Sequence, residues 1–223
     1  MNDKFTALNS AIYGYMEPLR SDVGDLILKE LREETAALGD ISMMQIAPEQ
    51  GSFLSILVAA VRARNALEIG TFTGYSALCI ARGLASGGRL TCLDQCGEWT
   101  DIARKYWGRA GVADRIDLTL GDAAETLPIL VKGLDKAVDF VFIDANKPGY
   151  DFYYETVLPH VSPGALIIFD NMLWSGKLAA MKPEELDENG AAVAALNTKL
   201  AADSRVESVL VPIADGLFIC RKL

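Results

Sequence analysis

The sequence predicts an α/β fold, in which helices cover both faces of a doubly wound, largely parallel sheet. Three observations lead to this prediction. From residue 65 onward, short apolar runs alternate with helical patterns, as parallel strands joined by helical crossovers require. The first run ends in a glycine turn that opens a helix, within residues 66–77 (ALEIGTFTGYSA). The last two runs are separated only by residues 213–216, whose Asp215-Gly216 pair is typical of a hairpin.

These patterns place the individual elements. Strands are predicted at 66–70, 89–93, 116–120, 138–143, 165–170, 205–211 and 216–221. Helices are predicted at 75–84, 98–110, 122–133, 149–159 and 184–202. With 223 residues and 51% hydrophobic content, the chain can bury one good core. We therefore expect one domain, made of a helical cap (1–62) and an α/β core (63–223).

The cap is predicted to contain three helices. One lies within residues 6–15, one is capped by Ser21 or Asp22 and stops at Gly39, and one begins at Pro48. Residues 43–48 are predicted to be a loop. The simpler interpretation is that this region only covers the sheet. The functional interpretation makes it a lid and a dimer surface, with Met44 and Ile46 touching a cofactor.

Composition restricts the partners and the compartment. The net charge of −9 and the pI near 4.7 argue against nucleic acid as the main partner. The four cysteines form no C-x-x-C pair, which favours reduced thiols in a cytoplasmic protein over disulfides or zinc. No apolar run reaches the ~18 residues of a membrane span, and the first ten residues contain no apolar signal core. A small molecule is the expected partner.

The glycine turn is interpreted as a cofactor site. Its spacing, Gly70-x-x-x-Gly74, differs from the G-x-G-x-x-G of dinucleotide sites, and Glu68 precedes it. A carboxylate here would repel a pyrophosphate and attract an ammonium group. Asp94, at the end of the second predicted strand, can accept hydrogen bonds from a ribose diol. The predicted ligand is S-adenosylmethionine; the alternative is an ordinary turn that binds nothing.

Three further sites follow predicted strands. Asp122 is interpreted either as the N-cap of the next helix or as part of a cofactor site in which the backbone N–H of Ala123 faces an adenine edge. Asp144 ends the fourth strand, and Asp170 with Asn171 ends the fifth, which should be its neighbour. Two carboxylates and an amide oxygen suit Mg²⁺, the expected ion, or Ca²⁺ or Mn²⁺. The alternative is that each acid only caps a strand end.

Lys147 lies three residues beyond Asp144, in the loop after the strand. A nearby cation disfavours a second positive charge, so a neutral amine there could accept a proton from a substrate hydroxyl. The alternative is a solvated loop lysine. His160, the only histidine, lies in a proline-flanked helix end and is assigned no catalytic role.

Taken together, these motifs resemble those of the cation-dependent class I S-adenosylmethionine O-methyltransferases, of the catechol and caffeoyl-CoA type. The resemblance covers roughly residues 40–221 and is carried, in order, by EIGTFTGYS, LD at 93–94, GDA at 121–123, FIDANK and FDNMLWSG. It implies a Rossmann-like sheet of seven strands with the last one antiparallel. It also implies a homodimer.

The resemblance further implies residue roles. The cofactor would be contacted by Met44, Ile46, Glu68, Gly70, Thr71, Ser76, Asp94, Ala123 and Asp144. Within this set, Ser76 would meet the methionine carboxylate, Glu68 the ammonium side and Asp94 the ribose. The metal ligands would be Asp144, Asp170 and Asn171, and Lys147 would be the catalytic base. Lys147, Asn171 and Trp174 would face the substrate, although Trp174 could equally be a core or interface tryptophan.

The predicted function is metal-dependent O-methylation of a small catechol-like molecule. Plant members of the family usually carry an acidic residue where this chain has Asn146, and their N-terminal segment differs, which favours a small catechol over a bulky CoA ester. Two alternatives stay open from the sequence: an NAD-dependent oxidoreductase, and a methyltransferase-like binding module without turnover.

Overall fold

The computed structural model describes residues 6–134 and 137–223, so the first five residues of the predicted cap lie outside it. Its centre is a seven-stranded sheet in the order β3-β2-β1-β4-β5-β7-β6. The strands are β1 (Asn65–Ile69), β2 (Arg89–Asp94), β3 (Ile116–Leu120), β4 (Val138–Ile143), β5 (Val161–Phe169), β6 (Val206–Val211) and β7 (Leu217–Lys222). The first five strands pair in parallel, and β7 runs antiparallel to both β5 and β6. The predicted fold class is confirmed.

Helices surround this sheet. They are α1 (Ser10–Met16), α2 (Leu26–Ala36), α3 (Pro48–Ala60), α4 (Tyr75–Gly83), α5 (Gly97–Arg109), α6 (Ala123–Lys132), α7 (Tyr150–Val157), α8 (Lys177–Ala180) and α9 (Glu188–Ala202). The described residues contain no helix long and apolar enough to cross a membrane.

Two hydrophobic clusters pack against opposite faces of the sheet. Along β4, Phe140 and Phe142 belong to one cluster, whereas Val141 and Ile143 belong to the other, because successive side chains of a strand point to opposite faces. Helices α2, α3, α4 and α5 complete the first cluster, and α6, α7 and α9 complete the second. The strands β1, β4 and β5 are buried on both faces over most of their length, which explains why their sequences are continuous apolar runs. All four cysteines are free, as predicted.

The start of α2 differs from the prediction. Its N-cap is Asp25, whose carboxylate accepts the N–H of Leu28 at 3.0 Å, so the prediction of Ser21 or Asp22 was wrong. Asp22 is engaged elsewhere, because its carboxylate accepts from Arg20 Nε at 3.1 Å and from Ser52 Oγ at 2.8 Å. The predicted loop also starts too early, since a 3₁₀ helix covers Gly39–Met44.

The segment after β5 also departs from the prediction. A 3₁₀ turn over Trp174–Gly176 leads directly into α8, which was not predicted. The helix expected from residue 184 begins at Glu188, where the Asp187 carboxylate accepts the N–H of Gly190 at 2.7 Å. Strand β5 begins at Val161, earlier than predicted.

Candidate active site

The predicted site residues lie along one edge of the sheet, at the carboxyl ends of its parallel strands. Following the strand order β3-β2-β1-β4-β5, this edge carries Ala123, Asp94, Gly70, Asp144 and Asp170. Neighbouring strands lie about 4.8 Å apart, so the five positions span roughly 19 Å. The crossovers change direction between β1 and β4, the point where open α/β sheets bind ligands.

The two glycines of the turn are required by neighbouring parts of the protein. Gly70 has φ +88°, and a Cβ there would lie 2.0 Å from the carbonyl oxygen of Asp144. Gly74 has φ +79°, and a Cβ there would lie 2.5 Å from the Cβ of Ala103. The Gly74 carbonyl accepts Trp107 Nε1–H at 3.1 Å. The turn can therefore pack against β4 and α5 only with glycine at both positions.

Glu68 is a fully buried carboxylate with an unpaired oxygen. The Cys92 thiol donates to its Oε2 at 3.4 Å, while Oε1 has no partner among the described residues. Burial raises the pKa of Glu68 to about 8. The hydroxyl of Thr71 is likewise buried without a partner there, and Ser76 lies buried in the first turn of α4. An ammonium group would satisfy Oε1, so these residues fit the amino-acid end of S-adenosylmethionine.

Asp94 holds the glycine turn in place. Its Oδ2 accepts the backbone N–H groups of Thr71 and Phe72 at 2.9 and 2.8 Å, and its Oδ1 accepts that of Cys96 at 2.8 Å. A carboxylate offers about four acceptor positions, so at least one is left for a ribose hydroxyl. The ribose contact stays a prediction.

The other predicted cofactor residues occupy different surroundings. Asp122 caps α6, its carboxylate accepting the N–H of Ala124 at 2.8 Å, so the N-cap interpretation is confirmed. Ala123 is the first residue of α6, where backbone N–H groups lack acceptors within the helix. Met44 is exposed at the end of its 3₁₀ helix, whereas Ile46 is buried in the first core cluster. Their cofactor contacts stay predictions.

Asp144, Lys147 and Asp170 are brought together at the ends of β4 and β5. Lys147 Nζ lies 3.1 Å from Asp144 Oδ1 and 2.6 Å from the hydroxyl of Tyr150. That hydroxyl donates to the backbone carbonyl of Asp170 at 3.2 Å. The Oδ1 of Asp170 accepts from Gln50 Nε2 at 2.7 Å and from the Asn171 N–H at 2.6 Å.

This cluster has the donor chemistry of a hard-cation site. Burial, with the nearby charge of Asp144 as the next cause, raises the pKa of Asp170 to about 7. A cation there would offset the repulsion between the two carboxylates. Within residues 6–134 and 137–223, no group of three or more His, Cys, Asp or Glu side chains could hold a metal ion. The candidate set instead combines two carboxylates with the Asn171 amide, which are all oxygen ligands.

Trp174 lies in the loop after β5 and packs against the start of α9. A Cβ on Gly190 would lie 3.0 Å from two atoms of the indole ring. The indole is half-buried beside the second core cluster, and its Nε1 has no partner among the described residues. One edge of the indole therefore packs against the core. The contact of Trp174 with a substrate stays a prediction.

Sequence reasoning missed Gln50 and Tyr150. Gln50 carried a weak signal, because a glutamine three residues after an N-cap position can reach back to the backbone N–H there. Tyr150 follows Lys147 by three residues, on the next turn of a helical stretch. Neither signal indicates which distant group the side chain also contacts.

The fold and the site together define a class of protein. A doubly wound sheet with an antiparallel seventh strand, a glycine turn and a buried carboxylate beneath it is the architecture of an S-adenosylmethionine-dependent methyltransferase. A family model described as O-methyltransferase matches residues 20–223. The chain therefore belongs to the O-methyltransferase family and is an S-adenosylmethionine-dependent enzyme. The oxidoreductase and non-catalytic alternatives are at odds with this assignment.

Individual relatives agree with the family. The chain is 36% identical over 201 residues to Caffeoyl-CoA O-methyltransferase 1 of Eucalyptus globulus, covering 88% of this chain and 81% of that protein. The structure resembles the O-methyltransferase from Bacillus cereus in complex with SAH, with a TM-score of 0.86, 32% identity and coverage of 95% and 97% of the two chains. It also resembles TomG from Streptomyces achromogenes in complex with SAM, with a TM-score of 0.84, 28% identity and 96% coverage of each chain.

Proposed function

We propose that the enzyme transfers the methyl group of S-adenosylmethionine to one hydroxyl of a small, catechol-like (vicinal dihydroxyaryl) acceptor, with the aid of a divalent cation, Mg²⁺ first. The observation that carries the proposal is the cluster of Asp144, Lys147 and Asp170, one strand away from the glycine turn. The glycine turn, where the cofactor is proposed to bind, is therefore adjacent to this cluster. An acceptor held at the cluster would lie beside the methyl donor.

The cofactor side rests on three residues. Glu68 supplies the carboxylate for the ammonium group, Asp94 supplies an acceptor for the ribose, and Ala123 supplies a backbone N–H for the adenine edge. Of these, Glu68 has the strongest support, because its buried Oε1 lacks a donor among the described residues. S-adenosylmethionine, when bound, supplies the methyl group on an electrophilic sulfonium.

The cation side rests on Asp144, Asp170 and Asn171. A divalent cation held by these residues would favour ionisation of an acceptor hydroxyl. Lys147 is proposed to take the hydroxyl proton on its Nζ. Tyr150 orients this amine through the 2.6 Å hydrogen bond. Trp174 is proposed to lie against the acceptor ring, and the positioning of acceptor and donor would provide much of the rate enhancement.

We also propose that the enzyme acts as a single-domain homodimer in the cytoplasm. Large apolar side chains are exposed in the cap, at Tyr15, Leu19 and Ile56 among others, and could form the contact between subunits. The unpaired thiols are consistent with a reducing compartment. A small catechol is preferred as acceptor over the CoA ester that the name of the Eucalyptus relative states.

The test is a methyl-transfer assay with S-adenosylmethionine and a panel of ortho-diphenols. Excess EDTA should abolish turnover, and added Mg²⁺ should restore it. Lys147→Ala should lower kcat by about 100-fold or more, the usual contribution of a general base, with the Kd of SAH changed less than about twofold. Lys132→Ala, an exposed lysine at the end of α6, is the matched control and should retain full activity.

Two outcomes would contradict the proposal. Full turnover in the presence of EDTA would remove Asp144, Asp170 and Asn171 from the metal role. Equal losses of turnover and SAH affinity in Lys147→Ala would show that the lysine serves the cofactor site. Chromatographic separation of the meta- and para-methylated products would show which of the two hydroxyls receives the methyl group.

A further inference from the structure

We propose that Gln50, on the cap helix α3, is a positioning residue that fixes the orientation of Asp170 for cation binding. The inference rests on the proposed function, since it takes Asp170 to be a metal ligand. Gln50 and Asp170 are both 2% exposed, and they lie 120 residues apart in sequence. A buried polar side chain of the cap thus contacts a candidate ligand in the core.

The orientation of the Gln50 carboxamide is fixed by its two partners. Its Oε1 accepts the backbone N–H of Ala47 at 2.7 Å, and a backbone N–H can only donate. The Nε2 group therefore faces Asp170 Oδ1, at 2.7 Å. A flipped carboxamide would place oxygen against oxygen at one end and N–H against N–H at the other, so the flipped form is disfavoured.

This orientation determines which oxygen of Asp170 is available. Oδ1 accepts two N–H groups, from Gln50 and from the backbone of Asn171. Among the described residues, none donates a hydrogen bond to Oδ2. The two donors hold the carboxylate plane, so Oδ2 is the oxygen presented to a cation. Such hydrogen bonds to a ligating carboxylate typically change metal affinity by 10–100-fold.

The test compares three variants by calorimetric titration of Mn²⁺ into the full chain, without cofactor or acceptor. Gln50→Met removes both hydrogen bonds at nearly constant length. Ala47→Pro removes only the Ala47 N–H; its φ of −68° suits proline, and Gln50 can still donate to Asp170. Ser52→Ala removes the bond from α3 to Asp22 Oδ2 and touches neither partner.

The expected result is a Mn²⁺ Kd about tenfold weaker in Gln50→Met and within about twofold of wild type in Ala47→Pro and Ser52→Ala. The SAH Kd should stay within about twofold of wild type in all three variants, because none of the three substituted residues is a proposed cofactor contact. Circular dichroism would establish that each variant is folded, and Gln50→Ala replaces Gln50→Met if the latter does not fold.

Unchanged Mn²⁺ affinity in the folded Gln50 variant would overturn the inference and leave the proposed function intact. Equal losses in Gln50→Met and Ser52→Ala would overturn it too, because the effect would then come from a general disturbance of α3 and not from the bond to Asp170. Failure of the wild-type chain to bind Mn²⁺ would overturn the proposed metal site, and the inference with it.

Discussion

At the scale of single residues, Glu68 is a buried carboxyl group with no cationic partner among the described residues. Glu68 lies in the interior with only a thiol donor on one oxygen, close enough to Asp144 to be affected by its charge. Its pKa of about 8 therefore reflects mainly the cost of ionising it without a cationic partner. An ammonium group reverses that cost. If the ammonium group of an aminoacyl cofactor binds at Glu68, as proposed, its binding is coupled to loss of the Glu68 proton.

We therefore expect the affinity for SAH to rise with pH. Below the pKa, the neutral acid must release a proton before it can accept from an ammonium group, so the Kd should fall by about tenfold per pH unit and level off near pH 8. Calorimetry at pH 6, 7 and 8 measures this slope directly. Glu68→Gln should bind weakly and without this pH dependence. A flat profile in the wild-type enzyme would show that Glu68 is already ionised in the free protein.

At the scale of elements, the loop after β5 is held by the β6–β7 turn. The N–H groups of Met172 and Leu173 donate to the carbonyls of Gly216 and Asp215 at 3.0 and 2.8 Å. The Ser175 N–H donates to Asp215 Oδ1 at 2.6 Å. Inside this loop Asn171, Trp174 and Ser175 have φ near +55°, a conformation that costs non-glycine residues about 1–2 kcal/mol each. The turn stabilises that strained loop.

Asp215→Ala should therefore loosen the residues proposed to face the acceptor. Losing the bond to Ser175 should raise the acceptor KM or lower kcat, by about tenfold in kcat/KM, while the SAH Kd stays unchanged because the loop lies at the far end of the edge. Steady-state kinetics with the best ortho-diphenol measures both constants. Asp215→Asn is the matched control, since its amide oxygen can accept the same N–H. Equal losses in both variants would assign the effect to the charge.

The elements differ in how far the sequence predicts them. The central strands β1, β4 and β5 were predicted because a strand buried on both faces needs a continuous apolar run, and the acids at their ends follow from that placement. The edge strands β3 and β6 are exposed or half-buried over most of their length and were predicted from their place in the alternation of strands and helices. The cap of α2 was missed because Ser21, Asp22 and Asp25 are equally suitable residues, and only the distant partner Ser52 decides among them. The loop after β5 has no local signal, because its left-handed residues are held by contacts with the β6–β7 turn.

Contacts between distant elements also limit how much of the candidate site can be predicted from the sequence. Asp144, Lys147 and Asp170 could be placed together because the ends of neighbouring parallel strands meet at one edge. Gln50 and Tyr150 could not, because a side chain that joins two elements has no periodicity and its partner lies far away or on another element. The glycines were predicted for a ligand, whereas the structure shows that the packing of β4 and α5 already requires them.

At the scale of the whole molecule, ligand binding should stabilise the fold measurably. The proposed cofactor site joins the turn after β1, the end of β2 and the start of α6, so it forms only when the sheet is assembled. A ligand that binds only the folded state at 100 times its Kd adds about 2.7 kcal/mol to the free energy of unfolding. For a chain of this size, that predicts a rise in Tm of about 5–10 °C with SAH, measured by scanning calorimetry.

Two comparisons show whether the rise in Tm comes from binding at the proposed cofactor site or from a general effect of added ligand. Above pH 8, where Glu68 is ionised, NADH at the same concentration should leave the Tm unchanged, because Glu68 beside the turn would repel its pyrophosphate. Glu68→Gln, if it weakens SAH tenfold, should reduce the stabilisation at that SAH concentration to about 1.4 kcal/mol, since the contribution depends on the logarithm of concentration over Kd. An equal shift in wild type and Glu68→Gln would mean that SAH binds without its ammonium group near Glu68.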